Sequence, residues 1–413
     1  MNIVNKEVVI IGGGPAGLAA AVELYKKGVR DIIIIEREKT LGGILRQCIH
    51  DGFGLTRFKE TLSGPEYAQR FINKVENLNI QYMTDTTVIS VTKDKKITAA
   101  SRNGLMTWQA KTVILTMGCR ERTRGALGIP GNRPAGVFTA GMAQSYINLH
   151  NTMVGKNVII LGSGDIGMIM ARRMTLEGAK VKAVFEILPY PSGLPRNIEQ
   201  CLNDYNIPLY LSHTVTDTHG SSRLTGVTVS EVDEHLLSIP GTEKEYDCDT
   251  LILSVGLIPE NELSLLAGVE LDVRTKGAII NENYQTCVDG VFAAGNILHV
   301  HDLVDFVSLE AESLADSVAL YIHDGRQPDC NIKIITSMEI SYTIPQYVSG
   351  TKDFNLSMRV KKPFRNCTIE IMQDGSVIKS IKMKKMNPAE MIKIQMDQKL
   401  LQSHKDLEVC MKC

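Results

Sequence analysis

Short, largely apolar runs rich in β-branched residues recur along the chain, at 8–11, 32–35, 112–116, 158–161, 181–185 and 251–253, with Lys182 the one charged interruption. Runs of this length without polar alternation predict strands buried on both faces. Helical patterns lie between them: an alanine-rich stretch at 18–25, an amphipathic one at 65–79 opened by Pro65, and others at 168–176, 197–205 and 309–323. Alternating helices and buried strands predict parallel sheets of the α/β class. Further strands are expected at 80–83, 88–93, 97–101 and 108–111, with Asn103-Gly104 turning a hairpin between the last two. Others are expected at 209–214, 224–229 and 236–239.

Two strand–helix–strand units carry glycines in matching places. The first strand runs into Gly12-Gly13-Gly14-Pro15-Ala16-Gly17, and its unit closes on Glu36 and Arg37. The second runs into Gly162-Ser163-Gly164-Asp165-Ile166-Gly167 and closes on Glu186. Gly12 to Glu36 and Gly162 to Glu186 each span 24 positions. In Gly-x-Gly-x-x-Gly the first glycine permits a tight turn and the second admits a pyrophosphate to the backbone. The third lets helix and strand pack closely. The helix N-terminus then offers N–H groups and a positive dipole end. A carboxylate ending the second strand binds ribose hydroxyls and repels a 2′-phosphate, which favours NAD over NADP. Repetition shows shape and not occupancy, so a duplicated fold with an empty second site stays open.

The chain crosses out of the first unit at Met117-Gly118-Cys119-Arg120 and returns through 249–256. This predicts a discontinuous domain (1–125 and 256–330) enclosing a second (132–255). Residues 331–413 change character to short β stretches with a Gln373-Asp374-Gly375 turn and a basic excess. Lys379 to Lys385 alternates like a solvated edge strand blunted by lysine. The expected fold is therefore α/β: two nested Rossmann-like dinucleotide-binding domains plus a small C-terminal β-sandwich-like domain with adaptor or interface duty.

Composition narrows the function classes. The 413 residues are 44% hydrophobic and 22% charged with a net charge of -1, so no basic bias suggests nucleic acid or an anionic membrane surface. The apolar runs are too short for a direct membrane span. Residues 1–7 enter the first strand without an apolar signal segment, and a cytoplasmic protein is expected. Nine scattered cysteines argue against a disulfide framework, and Cys410-Met411-Lys412-Cys413 reads as an exposed, frayed tail.

Two loops carry candidate chemistry. The glycines of 41–54 (Gly42, Gly43, Gly52, Gly54), with Gly64 beyond, suit backbone lying against a flat ring system. Cys48 and His50 are its candidate catalytic groups, for redox or proton transfer; a small buried thiol and a hydrogen-bonded loop histidine is the competing reading. His299, His301, Asp302 and Asp305 fall within seven positions. A metal site there is disfavoured, since no other ligand cluster accompanies them and polar residues at a helix start commonly cap it. No metal is assigned.

Together, the opening unit, its nested twin and Thr286–Asn296 make residues 6–325 resemble the pyridine nucleotide-disulfide oxidoreductases of the thioredoxin-reductase-like branch. The resemblance implies FAD on the first unit, with Gly43, Gly118, Gly295 and Asn296 joining its glycines, and NAD(H) on the second. Asn296 stands where the family has an aspartate beside the flavin ribityl-phosphate. The internal redox pair is missing: residues 138–142 contain no cysteine, and the early loop holds Cys48 alone. Gly118 to Arg124, Pro189 to Leu194 and His299 to Asp305 also look like a narrower bacterial group. Its members are flavoprotein subunits that accompany a second flavoenzyme dehydrogenase, of the glycerol-3-phosphate type, and a small cysteine-rich protein. Related subunits serve amino-acid and opine dehydrogenases and cyanide-forming glycine oxidation. The implied role is hydride exchange between FAD and NAD(H), with electrons passing to or from a partner subunit. Two rivals remain: a thiol or peroxide reductase using Cys48 or the Cys410/Cys413 tail, and an assembly subunit with structural FAD.

Overall fold

The computed structural model describes residues 3–413. Met1 and Asn2, at the head of the stretch read above for a signal segment, lie outside the described residues. The chain divides into two compact units, Met1–Cys119 with Pro259–Cys413, and Arg120–Ile258.

In the first unit the central sheet runs in the order Gln81–Met83, Ile32–Ile35, Ile3–Ile11, Gly104–Leu115, Lys96–Ser101, Thr86–Val91. Val291–Ala293 also pairs with Gly104–Leu115. Ile11 is level with both Ile35 and Leu115, and Leu115 is level with Ala293, all in parallel register. Gly12, Glu36, Thr116 and Ala294 therefore leave the same edge of the sheet. Helices Pro15–Lys26, Gly64–Asn77 and Val304–Asp324 contribute to the core on one face, against Val8, Ile10, Ile34, Ile114 and Phe292. Helix Gly64–Asn77 starts where the sequence demands it: Ser63 and Glu66 form a reciprocal capping box with proline in the first turn.

Three expectations for the α/β part change. The separate strands expected at 108–111 and 112–116 are one strand, Gly104–Leu115, because no turn former interrupts the extended chain between them. The stretch 236–239 is not a strand. Leu236 has φ +61°, and the Asp233 carboxylate gathers the amides of His235 and Leu237 into a turn. The third strand of that small sheet is Lys244–Asp247, which pairs with Gly226–Glu231, itself paired on its other side with His213–His219. The last helix of the α/β part begins at Val304 and not at 309, with Asp305 in its first turn.

The second unit holds a parallel sheet in the order Val137–Thr139, Thr250–Leu253, Asn157–Leu161, Lys180–Glu186, Leu209–Leu211. Leu161 is level with Phe185 and Leu253, so Gly162, Glu186 and Ser254 emerge together, as their counterparts do in the first unit.

The C-terminal strands form a five-stranded and a three-stranded sheet around a shared core that includes Ile334, Leu356, Met358, Ile369, Ile371 and Val409. Ser376–Met386, which contains the alternating lysines, is an edge strand. The tail is not frayed. Leu407–Lys412 is an inner strand between Ile332–Thr336 and Phe364–Gln373, and Cys413 is disulfide-bonded to Cys367. Backbone pairing on both sides, with Leu407 and Val409 fully buried, overrides the polar composition that suggested an exposed end. Cys410 stays a free thiol. Among the described residues no helix is long and apolar enough to cross a membrane.

Candidate functional site

The first glycine turn is shaped by contacts no side chain would survive. Gly12 has φ +107°, and a Cβ there would lie 2.5 Å from the Thr116 carbonyl oxygen. A Cβ on Gly17 would lie 2.0 Å from the Gly12 carbonyl oxygen. Gly14 differs: a Cβ on it meets nothing closer than the Gly43 Cα at 3.9 Å. The turn is thus tight where strand and helix meet and open at the position a pyrophosphate approaches. Pro15 opens helix Pro15–Lys26 and no side chain caps it. Ala16 lies under Gly295, whose own Cβ would meet the Ala16 Cβ at 3.0 Å. Glu36, buried at the strand end, accepts from the Gly13 amide at 2.7 Å and the Glu38 amide at 2.8 Å. Each oxygen keeps capacity for a further donor. Arg37 is exposed, 3.8 Å from Glu38.

Around this turn the structure gathers residues distant in sequence. Gly118 has φ +74° and open space on its Cβ side. The Asn296 amide donates to Cys119 Sγ at 3.6 Å, and its oxygen accepts from the His301 amide at 3.0 Å. Gly295 N–H donates to Glu310 Oε1 at 2.7 Å. The other oxygen of Glu310 faces His301 Nε2 at 3.3 Å and His299 Nε2 at 3.4 Å. His299 Nδ1 meets the Tyr342 hydroxyl at 3.2 Å, which in turn accepts from Arg359. A buried polar chain therefore runs from Cys119 to the C-terminal strands. The ligand-type atoms of His299, His301 and Glu310 lie within 4.8 Å of one another. The expectation that no further ligand accompanies the two histidines is thus corrected: Glu310 joins them from the following helix. The expected capping role is corrected too. The Asp305 carboxylate accepts from Gly54 N at 3.0 Å, Thr56 N at 3.0 Å and Arg57 N at 2.6 Å.

This chain sets a pH dependence. Burial, then the neighbouring His301, lowers His299 from its ordinary 6.5 to about 4. Burial alone would raise the Glu310 carboxyl, but His301 and His299 outweigh it and hold it below its usual range. Because the unfolded chain takes up the His299 proton first, folding stability falls as pH drops from about 6.5 to about 4. The loss expected from His299 is roughly 3 kcal/mol. The stability contributed by Glu310 is present above the ordinary glutamate range and is lost only at still lower pH. Urea midpoints measured between pH 7.5 and 4.5 should fall steeply in the natural protein and less so in His299→Gln; equal slopes would refute the assignment.

Cys48 sits where burial disfavours its thiolate. The Cys48 thiol is buried, donates to the Ile44 carbonyl at 3.4 Å, and is pushed up to about 12 by burial. His50 is half-buried, its ring 5.1 Å from that of Phe53. Gly64 secures this loop, its amide donating to the Cys48 carbonyl at 2.8 Å.

In the second unit the glycine geometry recurs. Gly162 has φ +97°, and a Cβ there would lie 2.1 Å from the Ser254 carbonyl oxygen. A Cβ on Gly167 would lie 2.6 Å from the Ser254 Cβ, whereas Gly164 finds nothing nearer than 3.3 Å. Ile166 packs against the core of this unit. Glu186 and Asp165, however, are already heavily hydrogen-bonded within the unit.

Residues 6–312 match the pyridine nucleotide-disulphide oxidoreductase family. The chain belongs to that family. The oxidoreductase is 28% identical over 308 residues to an alkyl hydroperoxide reductase subunit of Staphylococcus aureus, covering 71% of this chain and 55% of that protein. It is 23% identical over 312 residues to an opine oxidase subunit of Agrobacterium tumefaciens, covering 70% of this chain and 61% of that one. The chain spans little more than half the length of these curated relatives. Thioredoxin reductase of T. acidophilum superposes with a TM-score of 0.64 at 25% identity, covering 76% of this chain and 98% of that one. The oxidoreductase is therefore an FAD-dependent flavoprotein of a family that works with NAD(P)H.

The first unit fits FAD: an open Gly14, an uncapped helix N-terminus and a Glu36 with spare acceptor capacity are what a dinucleotide requires. When bound, FAD supplies the two-electron redox centre of this oxidoreductase. Several residues of this region escaped the sequence reading. Glu310 was not singled out, although the groups it holds lie 9 to 15 positions before it; Asp305 was noticed, but not its hold on a loop 248 to 251 positions earlier; and nothing local announces the contacts of Thr116 and Cys119. Ser163 and Ser192 lie in stretches that were read, yet no spacing links either to Glu186.

Proposed function

We propose that the protein is the flavoprotein subunit of a larger oxidoreductase, exchanging hydride between FAD and NAD(H) and passing electrons to or from a partner dehydrogenase subunit. In this reading residues 1–125 with 256–330 hold FAD, 132–255 hold NAD(H), and 331–413 serve partner contact. The roles of Gly12, Gly14, Gly17, Glu36, Gly43, Gly118, Gly295 and Asn296 are to bind and orient the flavin. The partner is a second flavoenzyme of the glycerol-3-phosphate dehydrogenase type, with a small cysteine-rich protein, in the cytoplasm.

One observation carries this reading. The dinucleotide scaffold is intact, yet the only thiol in the early loop is buried and held at about 12. Burial disfavours the thiolate that a thiol-relay enzyme needs, and no second cysteine stands in the early loop or in residues 138–142. Electrons must then leave by another route. Two of the relatives are themselves named as subunits, which supports a partner. The tail alternative is weakened because Cys413 bonds to Cys367 and not to Cys410.

Anaerobic NADH should bleach the bound flavin, and Cys48→Ser should bleach within about twofold of the natural rate. A hundredfold loss in Cys48→Ser would return the thiol reductase to first place. Flavin that NADH leaves oxidised would remove the NAD half of the reading. The partner is identified by what co-purifies with the full chain from its own cells.

A further inference from the structure

The two motif acids differ in how much of their hydrogen-bonding capacity is free. Glu36 accepts two backbone amides, those of Gly13 and Glu38. Glu186 accepts four donors: the Ser163 amide at 2.9 Å, the Ser163 hydroxyl at 2.6 Å, the Ser192 hydroxyl at 2.8 Å and the Leu188 amide at 3.0 Å. A carboxylate offers about four acceptor sites. Three of the four donors on Glu186 meet Oε2 and one meets Oε1, so Glu36 has room on both oxygens for the two hydroxyls of an adenosine ribose, whereas on Glu186 only Oε1 keeps a site. The surplus donors on Glu186 are themselves hydroxyls. Ser163 replaces Gly13 of the first turn, and Ser192 arrives from the Pro/Gly-rich loop.

That loop is fastened to the turn it covers. The Ser192 amide donates to Ser163 Oγ at 2.9 Å, and the Leu194 amide donates to Asp165 Oδ1 at 2.7 Å. Asn197 Nδ2 adds a bond to the same oxygen at 2.6 Å. Gly193 sits flat on the turn: a Cβ there would lie 2.4 Å from Met168 Cε and 2.8 Å from both Asp165 Oδ1 and the Ser163 carbonyl oxygen. Asp165 moreover sets a carboxylate in the first turn of helix Asp165–Leu176, at the end that would otherwise attract a diphosphate.

We propose that loop 188–196 is an internal substitute for the nucleotide, in which the hydroxyls of Ser192 and Ser163 take the places of the two ribose hydroxyls on Glu186. NAD(H) enters the second unit only by displacing Ser192. Ser192 is therefore a specificity-determining residue that sets the affinity for the nucleotide. The inference rests on the reading of this unit as the NAD(H) site and adds how that site is controlled. The resting protein binds NADH weakly, and whatever loosens the loop admits it.

The test is equilibrium binding of NADH to the FAD-loaded full chain, read together with amide hydrogen exchange. Ser192→Ala removes one of the four donors on Glu186 and should tighten NADH binding by about tenfold or more. Gly193→Ala should act in the same direction by lifting the loop off the turn. Saturating NADH should speed exchange at the Ser192 and Leu194 amides of the natural protein. If neither variant binds more tightly than the natural protein, or if those two amides stay protected under NADH, the proposal is overturned. Tight NADH binding with flavin reduction in the natural protein would remove the internal substitute and leave the hydride-exchange reading standing. No NADH binding by any of the three forms would remove both.

Discussion

Gly17→Ala is expected to yield a protein that purifies without flavin. The added methyl would lie 2.0 Å from the Gly12 carbonyl oxygen and 2.9 Å from Thr116 Oγ1, both on the sheet edge that fixes the turn. Neither neighbour is the far end of a flexible chain, so the helix must move away from the strand. Overpacking of this kind typically costs about 1–3 kcal/mol, and more where backbone is the obstacle. Displacing helix Pro15–Lys26 also carries the Gly14 amide and the helix N-terminus away from the pyrophosphate position, so binding is lost as well as stability. Gly28→Ala is the control. Gly28 also has positive φ, at +93°, but a Cβ there meets nothing within 4 Å. It should lose about 1 kcal/mol of stability and keep its flavin. Absorbance of the purified proteins decides the matter: full flavin occupancy in Gly17→Ala would show that close helix–strand packing is not what the glycine provides.

The second large effect is expected at Asp305. Its carboxylate is buried, and it gathers three backbone amides from a loop about 250 residues earlier in the chain. Alanine would leave those donors without their acceptor. The Gly54 amide is buried and the bonds to Thr56 and Arg57 are partly so; a buried unsatisfied amide costs about 1–3 kcal/mol, so a loss of about 2–3 kcal/mol is expected. The neighbouring Arg57–Glu312 pair, with contacts of 2.7 to 3.0 Å, ties the same loop to the same helix and would keep the loop near its place. Exchange of the amides of residues 54–57 should accelerate far more than that of the central strands. Asp305→Asn, which keeps an acceptor, should lose less. Equal stability of Asp305→Ala and the natural protein in urea would show that solvent serves those amides as well as the carboxylate does.

These two sites mark how far the sequence could be read. The glycine turns were legible because their causes are local. An apolar strand, a glycine that must take positive φ and a helix that must pack close all fall within a few residues, and the acid ends the next strand. Register then brought Glu36 and Glu186 to the turns without further instruction. Asp305, Glu310 and Ser192 were not legible, because each acts on a partner that no spacing rule connects to it. Asp305 belonged to a noticed cluster and was still misjudged, with Glu310 just beyond it: a carboxylate at a helix start caps the helix or reaches out of it, and only the fold selects which. The tail failed for a related reason. Lysine and glutamate alternating with Leu407, Val409 and Met411 look solvated in sequence, yet a half-buried inner strand carries the same alternation.

The chain leaves the first unit after Cys119 and re-enters it at Pro259, and beside these points the amide of Glu260 donates to the carbonyl of Gly118 at 3.0 Å. To its host, the whole intervening second unit is therefore one loop whose two ends already touch. The entropy of closing such a loop grows only logarithmically with its length, so the host sheet is nearly indifferent to what the loop contains. The FAD scaffold is a socket, and the segment plugged into it can be exchanged, trimmed or retuned without redrawing the register of strands on which the flavin turn depends.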